Sequence, residues 1–483
     1  MNTILRKILI ASLLLFHSTV GYCALNSAIV WEVRTTGNVN NGGGFKLGAS
    51  GSYLSQQDAA QYALTTATTA AADAIILDAS AAADMVGNVL YIVSGTNFTV
   101  GFYEVISVVV GVSITVDRNC TTAAGALGVI NIGGATNHPN SISAAIAAGN
   151  TIHMKLSTYQ PVGANAYVVD TSVSGTSANP IKWIGYNTTR NDNPTGANRP
   201  AWDANSVASS DVLRIDNMDN YFYNIIFKNA ADDGITDITG GSDRSSWYNC
   251  RFTNNGDDGA SSAELWYFIN CEFDLNGGDG ISETLNTRDL VIVNCYIHNN
   301  TSMGIRMTQA NIDIKNTVIE SNGATGCSIS NGATSGALNA NNCVAYNNTG
   351  ASSDGFSIST TSTVAMPSNI INCSSVSNGQ YAFNNVQTTS KFLVFDYNNY
   401  FGHTTELNNI TAGANDTGDT DPLFTDPANG DFTLQSTSPL IGVGSDVNNP
   451  TTSLTGAYKT NIGVDQDDNT AAGGGGAGHW IIQ

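Results

Sequence analysis

The chain has 483 residues, 39 acidic against 18 basic, for a net charge of −21. A nucleic-acid binder is expected to show a basic patch, and none is visible in the sequence, so no nucleic-acid partner is expected. Charged residues make up only 12% while 42% are apolar, and Gly, Ser, Thr and Asn abound, which suits many short strands and turns around a substantial core. The acidity serves either plain solubility or divalent cations.

At the start, Arg6 and Lys7 precede the apolar run Ile8 to Phe16, and small residues follow near Gly21 to Ala24. This reads as a secretory signal over 1–24, so a secreted, extracellular or cell-surface location is expected. The run is too short to span a bilayer, and no other segment is apolar enough to cross one. Cys23 raises a lipoprotein reading, which the preceding Tyr22 fits poorly.

Residues 25–135 are expected to form a small β-rich domain. Val89 to Val93, Phe102 to Ile106 and Ser113 to Asp117 alternate apolar and polar residues between turns. Ser55 to Ala72 is rich in Ala and Thr and is expected to be partly helical. Ser141 to Ala148 then reads as a short amphipathic helix ended by Gly149-Asn150, followed by a strand over Thr151 to Lys155.

From Tyr221 to Asn385 the chain repeats itself. The phrases Tyr248-Asn249-Cys250-Arg251-Phe252, Ile269-Asn270-Cys271-Glu272-Phe273 and Val293-Asn294-Cys295-Tyr296-Ile297 are the clearest. The asparagines Asn224, Asn249, Asn270, Asn294, Asn316, Asn342 and Asn372 are spaced by 25, 21, 24, 22, 26 and 30 residues, a solenoid period. Leu290 to Val293 is one strand and Cys295 to His298 a second. Between them Asn294 breaks the alternation, and Asn tolerates the left-handed conformation of a sharp bend. A polar turn leads to Gly304, and Ile305 to Thr308 is a third strand. Equivalent asparagines then stack about 4.8 Å apart and can pass amide hydrogen bonds along a ladder. Cys250, Cys271, Cys295, Cys343 and Cys373 share one position, as an inward stack of small apolar side chains. Metal binding by these thiols has no supporting Cys-x-x-Cys or Cys/His spacing. Cys120 and Cys327 fall outside this pattern.

These coils resemble the right-handed parallel β-helix, or pectin-lyase-like, superfamily, in which an asparagine ladder at one bend recurs. The resemblance implies an all-β fold: a right-handed parallel β-helix over 136–415, entered through a capping helix. Asp421-Pro422-Leu423-Phe424, Gly430 to Leu434 and Ser438 to Ile441 resemble the end of many bacterial extracellular β-helix proteins, here a C-terminal cap over 416–466. Residues 467–483 read as a Gly-rich linker and a short apolar tail. The architecture carries lyases, hydrolases, epimerases, adhesins and tailspikes, so it does not choose a function.

Candidate chemistry lies beside the turn glycines. Two residues after Gly234, Gly259, Gly280, Gly304, Gly326 and Gly355 come Thr236, Ser261, Ser282, Arg306, Ser328 and Ser357, a hydroxyl-rich outward row with Arg306 as its one cation. The resemblance implies a site on this outer face. A lyase acting on a uronate needs a base for the proton beside the carboxylate and a cation, often calcium, for the charge that develops. Asp233, Asp258 and Asp279 sit just before turn glycines in three consecutive coils, with Asp232 and Asp257 beside them. Oxygen-rich sites of this kind suit Ca2+. Asp-Gly is also ordinary turn chemistry, so solvated turns are the commoner reading of the same aspartates, with a calcium site next and catalytic carboxylates last. Glu283 and Asp237 take positions that are apolar in other coils. The catalytic candidates are Arg306, Asp279 and Glu283; the metal candidates are Asp233, Asp258 and Asp279. His298 is expected on the outer face of the second strand, near Asp274 and Glu320.

Two functions follow. One is a secreted protein that binds extracellular or cell-surface polysaccharide, acidic glycans included, with cleavage by β-elimination or by a paired-carboxylate hydrolase as its catalytic extension. The other is a non-catalytic rod, adhesin or phage tail-like fibre.

Overall fold

The computed structural model describes residues 25–46, 57–143, 145–162, 167–171, 173–207, 210–215, 217–237, 244–261, 266–283, 289–308, 311–331, 336–360, 368–386, 393–445 and 461–464. The expected signal (1–24), the linker and tail (467–483) and part of the Ala/Thr-rich stretch lie outside them.

Three long sheets wind about one axis. The first has 12 strands, the second 11 and the third 10, and each runs parallel except at the antiparallel edge strand Gly44–Lys46. One coil takes its strands from Asp289–Val293, Tyr296–His298 and Ile305–Thr308, and the next from Asn311–Lys315, Val318–Glu320 and Cys327–Asn331. The chain is thus a parallel β-helix, right-handed as parallel crossovers are.

The bends form where the sequence places them. Asn224, Asn249, Asn270, Asn294, Asn316, Asn342 and Asn372 all have φ between 48° and 58°. Each turns the chain from the first sheet into the second. A second left-handed residue follows five positions later, at Asn229, Asn254, Leu275, Asn299, Ser321, Asn347 and Ser377. It turns the second strand toward the third. Leu275 pays the Cβ penalty that Asn tolerates better.

The continuous amide ladder is carried by a different row from the one the repeat suggests. Bend asparagines do bond one another, as Asn249 Nδ2 to Asn224 Oδ1 (2.7 Å) and Asn294 Nδ2 to Asn270 Oδ1 (3.2 Å). The unbroken run is six residues on, through Asn255, Asn276, Asn300, Asn322, Asn348 and Asn378. Each passes its Nδ2 hydrogen to the next Oδ1 over 2.8–2.9 Å. These side chains point into the coil and are buried, so their bonds escape competition from water.

Inside, Trp31, Ile152, Trp183, Phe222, Trp247, Phe268 and Ile292 occupy one column of the first sheet. Phe227, Phe252 and Phe273 stack in the second, with ring centroids 5.0 and 4.6 Å apart. Burying each ring contributes about 2–3 kcal/mol. The five repeat cysteines are buried free thiols in the same core. Cys327 joins them from the third sheet, between Ile305 and Phe356. Cys120 lies in a separate core, its Sγ 3.4 Å from the Asp73 carbonyl.

Other features depart from the expected layout. Ile29–Val33 is itself a rung of the first sheet, paired parallel with Thr151–Lys155. Between these two rungs in sequence comes an antiparallel six-stranded sheet, with strands from Tyr62–Ala67 to Thr121–Ile132, so the described part of the Ala/Thr-rich stretch forms a strand where a partly helical run is expected. The helix expected over 141–148 does not form among the described residues. Pro139–Ile142 makes a single 3-10 turn, and Asn150 Oδ1 captures the Ala147 N–H at 3.0 Å. Ile142, Ala145 and Ile146 still reach the core beside Leu25 and Ile29. At the other end Gly418–Asp419 extends the second sheet. The chain then turns back, and the hairpin Phe424–Asp426 with Asp431–Leu434 lies on that sheet's outer face. There Phe424 and Phe432 cover Tyr296, Val318, Val344 and Val376.

Candidate functional site

The third sheet positions the candidates by register. Arg214, Thr236, Ser261, Ser282, Arg306, Ser328 and Ser357 form one column along it. The hydroxyl row is therefore real, and it holds a second cation, Arg214, one rung before the first turn glycine used to count it. Arg214 Nη1 donates to Tyr167 Oη at 2.9 Å. That rung lacks the Asp-Gly phrase and so gives no sequence cue.

Arg306 and Asp279 are brought together. Arg306 Nε lies 2.5 Å from Asp279 Oδ2, with side-chain exposures of 43% and 1%. It is an ion pair rather than an aligned hydrogen bond, since neither atom finds a well-oriented partner. Arg306 Nη2 also donates to Ser282 Oγ at 3.1 Å. Glu283 is not part of this group. It falls in the column of Met307, whose side chain lies in the core. Glu283 is 1% exposed and stands on the opposite side of the strand from Arg306.

The turn aspartates build a carboxylate ladder. Asp211 Oδ1 accepts the Asp233 N–H, Asp233 Oδ1 the Asp258 N–H, Asp258 Oδ1 the Asp279 N–H and Asp279 Oδ1 the Met303 N–H, over 3.2, 2.9, 2.7 and 2.8 Å. All four carboxylates are buried. Burial first, then the neighbouring Asp258, Asp232 and Asp211 charges, pushes Asp233 up to about 8 against the hydrogen bond from the Asp258 N–H. Burial likewise raises Asp211 and Asp258 to about 6. Glycine is required beside them. A Cβ on Gly278 would meet Asp257 Oδ1 at 2.3 Å and Asp258 Oδ1 at 2.4 Å.

The three metal candidates are divided by this geometry. Asp233, Asp258 and Asp279 each spend one oxygen on the next rung, and Asp279 gives the other to Arg306. The carboxylates that converge are Asp232, Asp233 and Asp257, with oxygens within 4.8 Å of one another and two of the three exposed. These are three hard oxygen donors at an open turn, with Asp233 raised by burial first and then by its acidic neighbours, a donor set of the kind calcium takes.

A second charged group lies on the outer face of the second sheet. Arg251 clamps Asp274 through two bonds of 2.7 Å. Glu272 lies 3.4 Å from Arg251, 3.8 Å from Arg199 and 3.3 Å from His298. Burial opposes it, but the bond from His298 and the two guanidinium charges hold Glu272 below the usual carboxylate range. Tyr296 bonds Glu320 and stacks on His298 with centroids 3.9 Å apart. The register puts His298 between Asp274 and Glu320, as expected, but its contact is Glu272, which precedes Asp274 by two residues. Two arginines against two carboxylates make a balanced network that ties three rungs together.

Residues 206–371 match the family model described as right handed beta helix region. No curated protein matches the chain. Among solved structures the chain is similar to the pectate lyase Pel9A, at 16% identity over 70% of this chain and 92% of that one, with a TM-score of 0.42. It is similar to the A-module of the Azotobacter vinelandii mannuronan C-5 epimerase AlgE6, at 13% identity over 58% and 95%, TM-score 0.35. It is also similar to the tailspike gp49 of Pseudomonas phage LKA1, at 12% identity over 75% and 64%, TM-score 0.25. Likeness at this level is one of coil architecture and assigns no residue a role.

Proposed function

We propose that this chain, a right-handed parallel β-helix protein, is secreted and binds polysaccharide along the outer face of its third sheet. The observation that carries the reading is the half-exposed Arg306, anchored by buried Asp279 within a row of hydroxyl side chains. A guanidinium is a permanent cation with a planar fork of donors, suited to a sugar carboxylate. Thr236, Ser261 and Ser328, which stay partly exposed, offer hydrogen bonds to sugar hydroxyls, whereas Ser282 and Ser357 are buried and Ser282 already holds Arg306. β-Elimination on this face would use Arg306 to hold the uronate carboxylate and to stabilise the charge that develops beside it. Calcium at Asp232, Asp233 and Asp257 would supply further positive charge near the same turns.

The test is incubation of the purified chain with acidic and neutral polysaccharides, with calcium and with chelator. Binding, new reducing ends and the absorbance of unsaturated sugars are followed. Binding of an acidic polysaccharide that falls at least tenfold in Arg306→Ala supports the reading, and unsaturated products extend it to a lyase. Undiminished binding by Arg306→Ala sinks it.

One observation favours the rod instead. Every carboxylate of the ladder gives an oxygen to the next rung's backbone, which is what a structural spine requires. Silence across the panel, with a folded β-rich spectrum, would support that alternative.

A further inference from the structure

The outer face of the first sheet carries a surface that the third-sheet site does not use. Lys182, Tyr221, Ser246 and Tyr267 follow one another in one outward column, and Ile184, Tyr223, Tyr248 and Ile269 in the other. Four tyrosines therefore fall on three successive rungs, all of them half-buried. The rings of Tyr223 and Tyr248 stack, with centroids 4.7 Å apart and planes 8° from parallel. Tyr221 stands out of that stack, its ring at 63° to Tyr248 and 6.5 Å away.

Cations flank the rings. Lys182 precedes Tyr221 in register. Arg244, with its side chain 47% exposed, reaches buried Asp219 at 3.1 Å, and this pair lies beside Tyr221, whose phenol is raised by burial first and then by Asp219, with Arg244 opposing. The concentration is local. Further along the same columns come Val291, Asp313, Asn339 and Asn369, and Val293, Lys315 and Asn341, with no aromatic ring. A solvated sheet face needs no tyrosine at four adjacent places. Tyrosine suits a surface that is dry when occupied and wet when free, because its ring is apolar and its hydroxyl is not.

We infer that Tyr221, Tyr223, Tyr248 and Tyr267, with Lys182 and Arg244, form a second binding surface for an acidic polysaccharide strand lying along the helix axis. The inference rests on the polysaccharide reading above but concerns a different face. Pyranose C–H groups carry slight positive charge and pack against electron-rich rings, as cations do more strongly. The phenol hydroxyls meet sugar hydroxyls, and Lys182 and Arg244 meet carboxylates. Rungs about 4.8 Å apart offer one side-chain position for each sugar-length step of an extended chain. In a protein of net charge −21, a patch that stays net positive, with Lys182 and Arg244 against buried Asp219, selects an anionic glycan over a neutral one.

Calorimetric titration of the full chain with polygalacturonate and with alginate, using starch as the neutral control, tests this. Tyr223→Ala/Tyr248→Ala should weaken binding of the acidic polymer at least tenfold, while Tyr223→Phe/Tyr248→Phe keeps most of it. Lys182→Gln/Arg244→Gln, which leaves the ring stack intact, should weaken it several-fold, so the test survives any misfolding of the alanine pair. If both sets bind like wild type while Arg306→Ala does not, this inference fails and the third-sheet reading stands. Loss in these sets with full binding by Arg306→Ala supports it and rejects the third-sheet site. A wild-type chain that binds neither acidic polymer overturns both.

Discussion

Replacing Asn300 by Ala probes the buried ladder at its centre. The Asn300 Oδ1 accepts from Asn276 N at 3.2 Å and from Asn276 Nδ2 at 2.9 Å. Its Nδ2 donates to Phe273 O at 3.1 Å and Asn322 Oδ1 at 2.9 Å. Four bonds are lost at about 1 kcal/mol each, and the Asn276 N–H is left buried without this acceptor, so the expected loss is about 3–5 kcal/mol. Asn294→Gly is the matched control. Asn294 has φ 54°, which Gly adopts freely, and its one side-chain bond to Asn270 is exposed. That change should cost less than about 1 kcal/mol. Urea unfolding followed by tryptophan fluorescence reads both, since Trp247 and Trp266 are buried two rungs and one rung before the Asn294–Asn300 coil. A loss below about 1 kcal/mol for Asn300→Ala, or a larger loss for Asn294→Gly, would refute the assignment of the ladder to the inner row.

The carboxylate ladder makes stability depend on pH. Asp233, Asp211 and Asp258 hold their protons more tightly folded than unfolded, so their contribution is full below the ordinary value of 3.8 and is lost as pH rises through about 6 and about 8. The unfolding temperature should fall across that window, and Asp233→Asn should flatten the fall. If calcium sits at Asp232, Asp233 and Asp257, adding it above the Asp233 value should restore the lost stability, and a shift that is absent in wild type argues against the ion. Gly278→Ala should disturb the same turn, because its Cβ lands on two carboxylate oxygens; an unchanged unfolding temperature and calcium response would contradict the geometry. Phe432→Ala should cost about 3–5 kcal/mol by opening the hairpin's cover over the second sheet, read as lower stability and new binding of a hydrophobic dye.

The sequence alone determined the coil: its period, the strand phases, the asparagine bends, the thiol stack and the hydroxyl row of the third sheet. These are one-residue properties repeated in step, and in a solenoid equivalent positions are neighbours, so a local pattern already states a tertiary contact. Tertiary structure decided the rest. Asn255 and Asn300 follow left-handed bends just as plainly as any residue of the repeat, yet only their inward direction makes them the continuous ladder. Arg306 closes on Asp279 because a long side chain reaches back one rung, whereas Glu283, one residue beyond Ser282, is carried to the other side of the strand. Arg214 joins the row from a coil with no turn signature. Ile29–Val33 reaches its partner Thr151–Lys155 across an inserted sheet, and the hairpin near Phe432 returns to Tyr296. Contacts of that kind do not repeat and span long separations, so no period encodes them; they form because exposed strand edges and apolar faces must be covered.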